Sequence, residues 1–384
     1  MDKAKKLKII LSIVGISFIQ GLQYCVSPVL SQISEHYPDV DVSLIQMLIT
    51  VPALIAMAIA ILSGWLVVKI SKKKLLLFGS LIAGITGFLP YLSDSFALLF
   101  ASRILYGVGL GLATALNTAV VAEFFEGDER VQVMGIQAAS VGAGMVVVTT
   151  VGGLLGSHGF QYAYLINIIG FISMFLIALC LPDTGRTVVT ATEKIQLNKD
   201  VFKIAFFAFL EFFFLITFTT NIAMHISGSL AGNAAVSGNL TGIFSGAQIV
   251  IGLVLGVVTR VTKRYTLPIA MLSFSIGGLV LVLFPSNLMM LVIGAVLCGF
   301  SQGMFIPQGM VDVSNAVQPV ATAMAAACFT CATCLGQLLS PTILNNLSKL
   351  VFGEVTTTNV YILAVIGMTI SALVLGMIKS KSKE

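Results

Sequence analysis

The sequence predicts an all-α integral membrane protein of twelve transmembrane helices, arranged as two pseudo-symmetric six-helix bundles. Composition, the succession of apolar segments and a repeated spacing of glycines carry that prediction. Of 384 residues, 57% are hydrophobic and only 10% are charged, and the mean hydropathy is +1.03. Soluble domains carry roughly 25% charged residues, so a water-soluble enzyme does not fit. A membrane-crossing helix takes about 20 apolar residues, and a dozen of them with short loops use up the chain. No large soluble catalytic or nucleic-acid-binding domain fits in the remainder. The formal charge of +5 reflects basic residues sorted by membrane side, not a nucleic-acid partner.

The elements follow in order. Lys3, Lys5, Lys6 and Lys8 resemble the basic region of a signal peptide, but the apolar stretch Ile9–Ile33 is too long for one. It reads as an uncleaved first span. Apolar segments fall near 8–34, 43–68, 74–92, 96–122, 132–156, 160–181, 203–226, 239–259, 266–284, 288–311, 320–347 and 359–378. Lys and Arg concentrate in cytoplasmic loops. With the N-terminus inside, every one of the 21 basic residues except Arg103 and Lys349 lies on the cytoplasmic side. Both termini are therefore expected in the cytoplasm. The longest polar interval, 183–202, is expected to be a cytoplasmic linker between a bundle at 1–182 and a bundle at 203–384.

The halves share a register. Gly64 and Gly256, Gly107 and Gly299, Gly111 and Gly303, and Gly144 and Gly336 are each separated by 192 residues, and Thr149 aligns with Pro341. One offset serving three separate helices points to an internal duplication, a known transporter architecture.

At these positions the chain resembles the major facilitator superfamily over essentially its whole length. Gly64-Trp65-Leu66-Val67-Val68-Lys69-Ile70-Ser71-Lys72-Lys73 is similar to that family's loop after span 2, although Val68 stands where the family has an acid. Arg103-Ile104-Leu105-Tyr106-Gly107-Val108-Gly109-Leu110-Gly111 resembles its span 4 motif, whose arginine the resemblance places in the transport pathway and links to proton coupling. Asp128-Glu129-Arg130 resembles the acidic-basic loop into span 5. Of the antiporter signature in span 5, Gly144, Gly152 and Gly153 are kept, while Val148 and Thr149 replace its Gly-Pro pair. Gly336 and Ser340-Pro341 occupy the equivalent place in span 11. The resemblance implies gating roles for Gly64, Lys69, Lys72, Lys73, Gly144, Gly152, Gly153, Gly336 and Pro341. Glu123 and Asp312, near the inner ends of spans 4 and 10, are expected to be interfacial or latch residues.

An ionisable side chain at membrane depth is a functional candidate by default. Arg103 lies roughly 10 Å below the outer surface and Glu211 roughly 12 Å from the inner one, at about 1.5 Å per residue. The resemblance implies that spans 1, 4, 7 and 10 line a central cavity. Glu211, Phe214, Phe218, Asn221 and His225 share one stripe of span 7, with His225 expected at the solvated outer interface. Span 1 offers Gln20, Gln23, Tyr24, Ser27 and Ser31. Span 4 adds Tyr106, Thr114 and Asn117, and span 10 adds Gln302 and Phe305. Aromatic walls with a few amides suit an amphipathic or planar organic molecule, while the same amides could instead bond between helices.

Cys328, Cys331 and Cys334 follow a cluster-like spacing on an apolar helix, where small residues promote packing. No Walker motif, metalloprotease motif or nucleophile elbow occurs, and no cofactor is expected beyond a proton gradient as energy source. The leading expectation is a monomeric secondary transporter in the plasma membrane, with a small-molecule substrate and no nucleic-acid partner. It works by alternating access and expels small amphipathic compounds in exchange for protons. Organic-anion uptake or exchange with Arg103 as the anion site is the alternative, because positions 9–33 contain no acid. A membrane-embedded enzyme or receptor would need catalytic clusters or an enlarged soluble domain, and the sequence shows neither.

Overall fold

The computed structural model describes residues 3–92, 94–186, 198–317 and 322–381. Among them, twelve helical segments are long and apolar enough to cross a membrane, beginning with Lys3–His36 and ending with Thr357–Ser380. The expected linker at 183–202 lies largely outside the described residues.

Several spans are interrupted, spans 6 and 7 among them, and spans 1 and 8 bear most on the site and its register. Span 1 is not one helix: Lys3–Gly21 gives way to short 3-10 turns at Leu22–Tyr24 and Ser27–Val29 before Leu30–His36 resumes the α-helix. Pro28 within this break has no N–H to donate. A broken helix is tolerated in a membrane where neighbours satisfy the freed backbone groups. Span 8 stops early, at Leu253 rather than 259, because Val254 leaves helical geometry (φ −98°, ψ 6°). A short helix Leu255–Thr262 follows, and a turn at Lys263–Tyr265 leads into Thr266–Leu283. Gly256 therefore lies inside that short helix and does not end span 8.

The described chain groups into two units. Unit 1 comprises 1–37 and 48–191, and unit 2 comprises Pro38–Met47 and 192–384. In unit 1, span 1 packs on spans 4, 5 and 6, and span 3 packs on spans 4 and 6. Unit 2 repeats the pattern, with span 7 on spans 10, 11 and 12 and span 9 on spans 10 and 12.

Glycine contacts repeat with the same register. A Cβ on Gly107 would lie 2.6 Å from Ile55 Cβ, and one on Gly111 would lie 2.7 Å from the Ala56 carbonyl oxygen. In unit 2, Gly299 abuts Phe244 and Ala247, and Gly303 abuts Gln248 and Ile251. Pro52, Ile55, Ala56 and Ile59 thus correspond to Phe244, Ala247, Gln248 and Ile251, each pair again 192 apart. Small residues let the paired helices approach to backbone contact. A Cβ on Gly64 or Gly256 would meet nothing within 4 Å, so close packing does not require glycine at either place.

Candidate functional site

Arg103 belongs to the helix Phe96–Phe124 and is 1% exposed. Among the described residues it has no carboxylate partner. Its Nε donates to the Leu48 carbonyl at 2.7 Å, and one terminal nitrogen donates to the Gln23 carbonyl at 2.5 Å. The other terminal nitrogen reaches Cys25 Sγ at 3.5 Å, and the guanidinium lies 4.8 Å from the centre of the Tyr106 ring. Both carbonyls lie where helical bonding is interrupted. Pro52 sits inside Val42–Lys69 and, lacking an N–H, cannot bond the Leu48 carbonyl four residues before it. Gln23 lies in the break of span 1. Nearby, the Tyr106 hydroxyl donates to the Ile19 carbonyl at 2.6 Å, and Gln23 Nε2 donates to the Ile49 carbonyl at 3.2 Å. Arg103, Gln23 and Tyr106 therefore form one polar centre in unit 1, which braces spans 1, 2 and 4.

Glu211 is the corresponding polar centre of unit 2. It lies on Lys199–Leu215 and is fully buried. Ser301 Oγ, from Leu288–Asn315, donates to Oε1 at 2.6 Å, and Oε2 has no hydrogen-bond partner among the described residues. No described basic side chain pairs with it. Burying an ionised carboxylate with one hydroxyl and no cation is costly.

Further along span 7, Asn221 joins an amide chain that sequence patterning did not reveal. Gln46 Nε2 donates to Asn221 Oδ1 at 2.8 Å, and Asn345 Nδ2 donates to Gln46 Oε1 at 2.9 Å and to Ser43 Oγ at 3.0 Å. All four belong to unit 2. His225 corrects an expectation: it is 4% exposed, and not solvated. Its Nε2 contacts the Leu281 carbonyl and its Nδ1 contacts the Thr357 hydroxyl, each at 3.0 Å. The ends of spans 9 and 12 supply those partners.

The remaining predicted residues divide by surroundings. Phe218 is buried and stacks on Phe244 at 4.6 Å, and Phe305 is also fully buried in the unit 2 core. Phe214 is half-buried against the same core. Gln302 Oε1 accepts from Gln248 at 2.8 Å, and Asn117 Nδ2 donates to Ser17 Oγ at 2.9 Å. Tyr24 is buried in the break of span 1. Gln20 Nε2 is buried with no partner among the described residues. Gly144 packs on Phe18, Gly152 faces Cys25, and Gly336 abuts Phe209 and Phe213. Gly153 lies within Gly127–Gly156, and Pro341 lies inside Thr322–Phe352.

Several residues expected to gate meet around a cavity of about 660 Å³ in unit 1, lined by Gly64, Lys72, Glu123 and Arg186 among others. Lys72 pairs with Glu123 at 2.9 Å, while Lys69 lies 3.8 Å from the Trp65 ring centre and Lys73 donates to the Ala178 carbonyl. Beside them, the Gly185 N–H and the Ser71 hydroxyl hold the Asp183 carboxyl below its ordinary range. In unit 2, Asp312 pairs with Lys379 at 2.8 Å.

Twelve apolar spans with ionisable groups sealed inside them define a multi-pass membrane protein. A model of the Major Facilitator Superfamily matches residues 12–224 and 204–384, and the chain belongs to that superfamily. Its members are carriers, and this chain is not an enzyme. Riboflavin transporter RibZ of Clostridioides difficile (strain 630) is 32% identical over 139 residues, 36% of this chain and 30% of RibZ. Quinolone resistance protein NorA of Staphylococcus aureus is 20% identical over 152 residues, 39% of each chain. The chain thus spans about a third of the length of these curated relatives. Among solved structures, the nucleoside transporter NupG has a TM-score of 0.76 at 14% identity, covering 95% of this chain and 99% of NupG. A POT family transporter in complex with a thioalcohol-conjugated peptide has a TM-score of 0.80 at 12% identity, covering 99% and 97%. At these identities the likeness shows the fold alone.

Proposed function

We propose that this carrier expels small, planar amphipathic organic molecules by alternating access, driven by an inward flow of protons. The observation that carries the reading is Glu211, buried, bonded on one oxygen by Ser301 and unpaired on the other. Ionisable residues inside a membrane mark substrate or ion pathways, proton relays and other functional sites. Flavins and quinolones, named in RibZ and NorA, are planar heteroaromatic molecules, and the name of NorA favours the outward direction. Gln20 is assigned to substrate contact through its unpaired Nε2. The anion-exchange alternative has less support, because two of the Arg103 donors already serve backbone carbonyls. The chain is placed in the bacterial cytoplasmic membrane as a monomer, with bundles 1–182 and 203–384 as the moving halves.

The test is transport in proteoliposomes, with riboflavin and a quinolone as probes and an imposed pH gradient. Glu211→Gln should abolish gradient-driven flux of the transported probe while binding persists. Unchanged gradient-driven flux in that variant would overturn the assignment.

A further inference from the structure

A groove on unit 2, separate from both polar centres, has an apolar wall and lies beside a basic turn. It holds about 580 Å³ and is lined by Val261, Tyr265, Ile269, Leu373, Gly376 and Met377, within the usual range of about 300–1,000 Å³ for small-molecule sites. Its apolar residues face outward: Val261 is 78% exposed and Met377 is 59% exposed. In a membrane protein such a surface meets lipid. The basic turn, Lys263–Tyr265, follows the short helix Leu255–Thr262. Lys263 has a φ of 50°, a left-handed conformation uncommon in residues other than glycine. Arg260, Lys263 and Arg264 follow closely in sequence across this corner of the chain. Arg264 Nη2 donates to the Tyr265 hydroxyl at 2.8 Å and lies 4.8 Å from that ring's centre, which ties the corner to the groove wall. Among the described residues none of the three pairs with a carboxylate.

We propose that the groove seats one acyl chain of an anionic phospholipid, with its phosphate held by Lys263 and Arg264. The charge complementarity is specific in sign, since three cations without a carboxylate partner in the turn beside an apolar slot favour an anionic headgroup over a zwitterionic one. Basic pockets between spans at the membrane border recognise anionic headgroups by this combination. Gly376 forms part of the seat, and a Cβ there would meet only Pro268 at 4.0 Å, so a larger side chain would fill the slot at little cost to packing.

Native mass spectrometry of the purified full chain tests the proposal, with phosphatidylglycerol, phosphatidylethanolamine and glycerol phosphate as probes. The wild type should retain phosphatidylglycerol over phosphatidylethanolamine and retain no glycerol phosphate. Lys263→Gln and Arg264→Gln should each lower retention of phosphatidylglycerol by roughly fivefold, the equivalent of one charge near a membrane surface. Gly376→Leu should lower it with every charge intact, and circular dichroism should show that variant folded. Equal retention of the two lipids, retention unchanged in Gly376→Leu, or retention of glycerol phosphate would overturn the proposal. So would a lipid-free dimer that Gly376→Leu dissociates.

Discussion

Pro52 lacks the N–H that would bond the Leu48 carbonyl, and Arg103 Nε donates to that oxygen at 2.7 Å. The planar guanidinium presents several donors in fixed directions, which lets the same side chain serve the Gln23 carbonyl. Lysine, a single flexible ammonium, would not span both. Each buried carbonyl left without a donor costs about 1–3 kcal/mol, so Arg103→Gln should destabilise the protein by at least that amount. Pro52→Ala restores the helical N–H. In that background the cost of Arg103→Gln should fall by about 1 kcal/mol, a coupling that a double-mutant cycle of thermal unfolding reads directly. Strict additivity would show that the Leu48 bond carries no weight. Arg103 and Glu211 were legible in the sequence because charge stands out in an apolar run. Their partners were not. A backbone carbonyl has no signature in side-chain patterning, and Gln46 and Asn345 look like ordinary span-end amides until the fold joins them. Similarly, periodicity placed Phe218 on the stripe of Glu211, but stacking on Phe244 is a tertiary fact.

Span 4 packs on span 2, and span 10 on span 8, through glycines at matching positions, and this correspondence was legible as the offset of 192. Gly111→Val would collide with the Ala56 carbonyl 2.7 Å from its Cβ, and Gly303→Val with the Gln248 carbonyl at 2.6 Å. Each should cost about 1–3 kcal/mol through overpacking. Gly64→Ala and Gly256→Ala meet open space and should be neutral, or stabilise by up to about 1 kcal/mol through helix propensity. Thermal unfolding in detergent separates the pairs, and a wild-type melting temperature for Gly111→Val would contradict the packing account. The break in span 8 was not legible, because apolar composition continues across it; in span 1 Pro28 marks the break, but a count of apolar residues passes over it. At the far end of span 1, the Tyr37 hydroxyl at 2.7 Å and the His36 ring at 2.8 Å hold the Asp94 carboxyl below its ordinary range. Burial and the Asp94 contact push Tyr37 up to about 12. The depressed carboxyl stabilises above its ordinary value near ~4 and loses that contribution as pH falls through the lower folded value. The raised phenol loses its contribution as pH climbs from 10.0 toward 12. Tyr37→Phe should therefore lower the melting temperature by a constant amount between about pH 5 and 9, and the difference should vanish in strong acid. A difference unchanged at about pH 2, below the carboxylate range, would contradict this sign.

Across the whole molecule, the same charges that leave the net at +5 also predict orientation. Of the 21 basic residues, the two exceptions to cytoplasmic placement have different surroundings. Arg103 is sealed on carbonyls inside span 4 and belongs to neither aqueous side, whereas Lys349 is exposed near the end of Thr322–Phe352. One exposed exception against so many matching loops does not offset the bias, since orientation follows the summed Lys and Arg of short loops. Two exposed positions outside the apolar spans make the test. In a variant with the six native cysteines replaced by serine or alanine, Arg130→Cys in the connection from span 4 to span 5 should react with a membrane-impermeant maleimide only after cells are opened. Ser286→Cys, between spans 9 and 10, should react on intact cells. Glu211 then lies toward the cytoplasmic end of span 7 and Arg103 toward the outer end of span 4, as the charge bias predicts. The opposite labelling pattern would reverse that disposition and contradict the orientation read from the Lys and Arg bias.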